Sequence, residues 1–133
     1  MNRLAGATLS LLRIVAAMVL ISPGAMKLLG WFGGMPPGVV LTPLLRLAGW
    51  IEIVGGVLIL LGLLTRPAAF IASGEMAFAY FLGHFQHGGF WPIQNHGEPA
   101  VLLCFIFLFL SAVGPGPISL DHLMARGRAK SRS

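Results

Sequence analysis

Charge is what this sequence has least of. Only 10% of its 133 residues are Asp, Glu, Lys or Arg, while 56% are hydrophobic and the mean hydropathy is +0.86. A soluble domain of this size must cover its core with charge, so a soluble single-core protein is excluded. Val101 to Leu110 holds nothing more polar than Cys104, and a chain built this way dissolves in lipid. Cys104 is the only cysteine, and it sits inside that apolar run. This excludes an intramolecular disulfide, a CxxC redox pair and a thiolate metal cluster. Acidic residues number four against nine basic ones, for a formal net charge of +5. The excess lies in the tail at Arg126, Arg128, Lys130 and Arg132. A basic run directly after an apolar span faces anionic headgroups and sets topology, so a nucleic-acid partner is not expected. Arg3 before an apolar stretch imitates a signal peptide, but Arg13 interrupts the run and no A-x-A-like site comes after it. A retained first span is expected.

What is there is a series of apolar runs, each about long enough to cross a ~30 Å hydrocarbon core at ~1.5 Å per residue. They read as Thr8 to Leu29, Leu44 to Leu64, Ala68 to His87 and Glu98 to Val113. The breaks carry turn chemistry: Gly33-Gly34-Met35-Pro36-Pro37-Gly38, Thr65-Arg66-Pro67, His87-Gly88-Gly89 through Asn95-His96-Gly97, and Gly114-Pro115-Gly116-Pro117. The expected fold is therefore an all-α membrane protein, a single four-helix antiparallel bundle over residues 1–133 with a basic tail at 122–133. Arg3, Arg66 and the tail fall on one side, and the loops 31–43 and 88–97 hold no Lys or Arg. By the positive-inside rule both termini are expected in the cytoplasm.

An ionised side chain at the centre of a span costs on the order of 2.5–3.5 kcal/mol, so the few charges inside the runs need a reason. Glu52 and Glu75 lie in spans near mid-membrane, and Glu98 opens the last one. Arg13, Ala17, Leu20, Gly24 and Lys27 recur at helical spacing, giving a face of small residues between two cations that should turn inward. Arg13 is a candidate partner for Glu75 or Glu52. Gly49, Glu52 and Gly56 align on the second span, where small residues let a neighbouring backbone approach. On the third, Glu75, Ala79, Leu82 and Gln86 form one stripe, and Met76, Tyr80, His84 and His87 an adjacent one. Two readings are open. The charges are interhelical ion pairs that select packing, or they line an internal polar pocket or proton relay.

Lys27, Arg46, His84, His87, Asn95, His96 and Glu98 gather near the outer surface with Phe85, Phe90 and Trp91. This layer could bind a polar headgroup, with His84, Asn95 and Tyr80 as candidate ligand contacts, or the aromatics could form an interfacial belt. Three histidines and Glu98 lack a fixed ligand spacing, so no metal is expected, and no histidines sit deep enough on facing spans for haem. Asn95-His96-Gly97-Glu98 also reads as a capping box, with Pro99 in the opening turn. After Gly116-Pro117, Ser119 can cap a short helix whose Leu120, Leu123 and Met124 oppose the basic tail, with Asp121 in its first turn.

Taken together, Arg13 with Gly24 and Lys27, Glu52 with Gly55, Gly56 and Gly62 before Arg66-Pro67, and Gly74-Glu75-Met76-Ala77 with Ala79-Tyr80-Phe81 and His84 resemble the DoxX family. Phe90-Trp91-Pro92, Asn95-His96-Gly97-Glu98 and Gly114 through Asp121 extend the resemblance over nearly the whole chain. His96 departs from it, standing where a second small residue is expected. The resemblance implies a four-helix inner-membrane protein of bacteria or archaea. Founding members are similar to small subunits of quinone-linked oxidoreductases acting on thiosulfate, and others look like membrane partners in redox-stress or thiol-handling complexes.

The leading expectation is a membrane subunit that binds quinone or quinol. Glu52, Glu75 and Glu98 would be its proton groups, and Arg13 and Lys27 its counter-charges. The alternatives are a non-catalytic anchor or assembly partner and a small proton-coupled carrier. No haem, flavin, nucleotide or metal motif is present, so electrons would pass through the ligand or a soluble or membrane redox partner. A second copy of the chain is a further expected partner.

Overall fold

The computed structural model describes residues 1–133 and consists of helices and turns, with no strand. Helix α1 (Arg3–Leu29) starts at Asn2, whose side chain accepts from the Ala5 amide at 2.7 Å, and stops at Gly30 in the left-handed region. Helix α2 (Pro43–Leu61) is capped by Thr42, begins with proline where no amide is needed, and ends at left-handed Gly62. Helix α3 covers residues 65–88, and a single helical turn, Pro92–Asn95, comes after it. Helix α4 (Glu98–Val113) ends at Gly114, and α5 (Leu120–Arg132) begins at Ser119, which accepts from the His122 amide at 3.2 Å. Two stretches are π-helical: Ile51–Gly55 within α2 and Ala79–His84 within α3. One extra residue enters the turn at each, a feature that recurs at functional sites.

Two expected boundaries move. The α2–α3 turn lies at Gly62, Leu63 and Leu64 rather than at Thr65-Arg66-Pro67, because Pro67 falls in the first turn of α3, where its missing amide costs nothing. The capping box at Asn95 does not form. Pro92 starts its own turn, Gly97 is the cap residue of α4, and Glu98 is the first helical residue, too early to reach back.

Helix α1 packs along α2, and α3 packs along α4. The core runs through Ala17, Leu20, Ala69, Ala72, Phe107 and Leu110, with Ser73 donating to the Cys104 carbonyl at 2.8 Å between α3 and α4. Glycines set the α1–α2 spacing: a Cβ on Gly24 would stand 2.9 Å from the Glu52 Cβ and the Gly49 carbonyl. The outside is apolar, with Leu11, Val15, Met18, Phe70, Phe78, Phe105 and Phe109 exposed. So broad an apolar exterior marks a surface meant for lipid. Two helices, Arg3–Leu29 and Pro43–Leu61, are long and apolar enough to cross a bilayer, while Glu98–Val113 is apolar but shorter.

One end of the bundle is stapled by three charges. Arg13, which is 1% exposed, donates to the carbonyls of Pro115 and Ile118, the latter at 2.7 Å. Arg66 donates to the Ala112 carbonyl at the end of α4. Asp121 accepts from the Leu64 and Thr65 amides at 2.9 and 3.1 Å, capping α3 from a distant part of the chain.

Candidate functional site

The buried polar residues divide between that stapled end and a second cluster built on α1, α2 and α3. Lys27, in the last turn of α1, places its Nζ 2.7 and 2.9 Å from the two carboxylate oxygens of Glu52. Glu52 sits in the π-turn of α2 and is 1% exposed. Gly24, one turn before Lys27, lets the helices come close enough for this contact. Glu75 of α3 lies beside Glu52 and is nine-tenths buried, and its Oε2 has no hydrogen-bond partner.

Beside the cluster is a cleft of about 710 Å³ between α2 and α3. It exists because the two helices diverge: the second half of α2 touches α3, while its first half, Pro43–Trp50, packs on α1 and stands away from α3. Lys27, Glu75 and His84 supply the charged and titratable groups of a wall otherwise made of residues such as Ala48, Ile51, Phe78 and Leu82. Leu44, Leu47, Phe78 and Leu82 are exposed at its rim, so the cleft opens sideways through an apolar border. An apolar cavity with a few convergent polar groups is the usual form of a small-molecule site.

Comparison with known proteins bears on the same helices. The DoxX family profile matches residues 8–85, which contain Lys27, Glu52, Glu75 and His84. The chain belongs to the DoxX family. An uncharacterized protein of Haemophilus influenzae is 47% identical to this DoxX protein over 118 residues, covering 86% of this chain and 88% of the relative. An uncharacterized membrane protein of Mycobacterium tuberculosis is 31% identical over 133 residues, covering 86% of this chain and 80% of that one. No solved structure matches.

Within this DoxX protein the residues singled out from sequence fall into separate places. Lys27, Glu52 and Glu75 are together, and His84 lines the same cleft. Arg13 is not a counter-charge to Glu52 or Glu75. Fourteen residues before Lys27, or ~21 Å along the helix, it belongs to the stapled end, where its two Nη atoms donate to carbonyls. Glu98 is exposed at the start of α4 and is not a wall of the cleft. Asn95 and Tyr80 form a clasp instead of lining the cleft. The Asn95 amide donates to the Tyr80 hydroxyl at 3.1 Å and to the Gly89 carbonyl at 2.8 Å, and its oxygen accepts from Gly97 at 2.8 Å. Tyr80 in turn donates to the Phe90 carbonyl. His84, His87, His96 and Glu98 do not converge as a ligand set. Sequence reasoning missed the capping role of Asp121 and the two π-turns. The first had a trace in a lone acid directly after a Gly-Pro loop, and the second left none.

Proposed function

We propose that this DoxX protein is a multi-pass inner-membrane subunit of a quinone-linked redox complex, and that the cleft at Glu75 is its quinol site. Helices α1 to α4 cross the bilayer, and both termini lie in the cytoplasm. The Arg13, Arg66 and Asp121 staple and the basic tail mark the inner end, and loops without Lys or Arg mark the other. The observation that carries the site is the difference between the two carboxylates. Glu52 has both oxygens on Lys27, whereas Glu75 has a buried oxygen with no partner at the wall of a lipid-facing cleft.

Oxidation of a quinol releases two protons with its two electrons, and a buried carboxylate with an unengaged oxygen is suited to accept a proton from a ring hydroxyl. Lys27 and Glu52 hold α1 and α2 in place around it, and the electrons pass to a partner redox protein. The apolar walls fit a ring and the foot of an isoprenoid tail, whose remainder stays in the bilayer.

The anchor reading draws on the same ion pair: Lys27 and Glu52 satisfy each other and would join helices whether or not a ligand binds. Purification from native membranes in mild detergent, followed by mass spectrometry of the bound lipids, separates the two. A stoichiometric quinone in the wild type that is lost in Glu75→Gln, with the variant still folded, supports the quinol site. A wild type that carries no quinone but brings down a protein partner favours the anchor.

A further inference from the structure

His84 lines the same cleft as Glu75 although nine residues separate them. In an uninterrupted α-helix, nine steps of about 100° would put the two side chains on opposite faces. The π-turn at Ala79–His84 takes in an extra residue and sets the subsequent side chains back by about 100°, which brings His84 round toward the Glu75 face. The insertion thus joins two stripes that an ordinary helix would keep apart.

The ring of His84 is also oriented. Its one hydrogen bond within the protein joins Nδ1 to the backbone carbonyl of Asn95 at 3.1 Å. A carbonyl only accepts, so Nδ1 carries the hydrogen, and the neutral ring keeps its lone pair on Nε2, on the edge turned away from Asn95. Asn95 cannot swing aside, because Tyr80, Gly89 and Gly97 hold it from three directions. A carbonyl that fixes the tautomer of a histidine from behind is the arrangement by which proteins aim the opposite nitrogen at a ligand.

We infer that His84 is the second polar contact of the cleft, accepting through Nε2 a hydrogen bond from a hydroxyl of a lipid-soluble ligand whose other polar end lies toward Glu75. Tyr80 and Asn95 are positioning residues. The inference rests on the cleft being a ligand site, and it narrows the ligand to molecules with two oxygen functions on a small apolar head. It also predicts discrimination: a neutral His84 accepts from a quinol hydroxyl but has nothing to accept from a quinone carbonyl.

The test is equilibrium binding of short-chain ubiquinol and ubiquinone to the protein in nanodiscs, for wild type, His84→Ala, His84→Gln and Glu75→Gln. The expected result is that His84→Ala weakens ubiquinol about tenfold, the size of one hydrogen bond, and leaves ubiquinone little changed. His84→Gln should recover part of the loss. Wild-type binding that His84→Ala leaves intact overturns the role of His84 while the cleft stands. A wild type that binds neither form overturns the cleft and the inference together. Independently of any ligand, nitrogen NMR of His84 must show Nε2 unprotonated in the neutral ring, and a protonated Nε2 contradicts the inference.

Discussion

Lys27 and Glu52 meet between α1 and α2 in a two-point ion pair, with Nζ 2.7 and 2.9 Å from the two carboxylate oxygens. Both side chains are largely out of solvent, at 13% and 1% exposure, and Glu75 is the other charge-bearing group beside them. Removing Lys27 leaves the Glu52 and Glu75 carboxylates side by side without a cation, and removing Glu52 leaves Lys27 without its hydrogen-bonded partner. Lys27→Met or Glu52→Leu alone should cost about 3–5 kcal/mol, while the double variant should recover most of the loss. Thermal unfolding in detergent of the two singles and the double checks this, and additive losses would contradict the pairing.

The approach of α1 to α2 depends on Gly24, as it does on Gly49 and Gly56, but not on Gly55. An added Cβ at Gly24 meets the Glu52 Cβ, the Gly49 carbonyl and the Ile53 Cγ1, all at 2.9 Å, whereas at Gly55 it meets nothing within 4 Å. Gly24→Ala should therefore destabilise by ~1–3 kcal/mol, and Gly55→Ala should be nearly neutral. Melting temperatures of the two variants side by side give the answer.

How much of this is legible in sequence depends on the range of each interaction. The inward face of α1 is readable, because Ala17, Leu20 and Gly24 recur at helical spacing and all are buried. The depth of a charge along that face is less so: Arg13 shares the face with Lys27 but works about 21 Å away, at the opposite end. The π-turns leave no mark in the hydrophobic pattern, because one inserted residue only shifts the helical phase of the residues beyond it. As a result Glu75 and His84 read as members of neighbouring stripes instead of one wall. Capping between distant segments, as by Asp121 on Leu64 and Thr65, leaves only a lone acid after a Gly-Pro loop, which does not say which helix it caps.

Asp121 offers a direct check on that long-range cap. Asp121→Asn removes the charge that faces the α3 N-terminus, and Asp121→Ala removes the acceptor as well. The expected loss for alanine is ~1–2 kcal/mol, with the amides of Leu64 and Thr65 exchanging faster with solvent deuterium. Unchanged exchange at both amides would show that the contact does not hold the helix start.

The proposed four-span arrangement predicts a labelling pattern. In a Cys104→Ser background, cysteines at Val40 and Gln94 should react with a membrane-impermeant thiol reagent in spheroplasts. A cysteine at Ser131 should react only after permeabilisation. All three positions are exposed, so access from each side of the membrane decides the result.

A lipid-soluble quinol bound beside Glu75, as proposed, would lie between α2 and α3 within reach of a photoreactive analogue. The most direct measurement is photolabelling of the protein in native membranes with an azido-quinone, followed by peptide mapping. Label is expected on the facing stretches around Ala48–Ile51 and Glu75–Leu82, and it should be abolished when Gly74→Trp, placed where an added side chain meets open space, fills the cleft. Label spread over the outer faces of the helices and unaffected by Gly74→Trp would contradict the account.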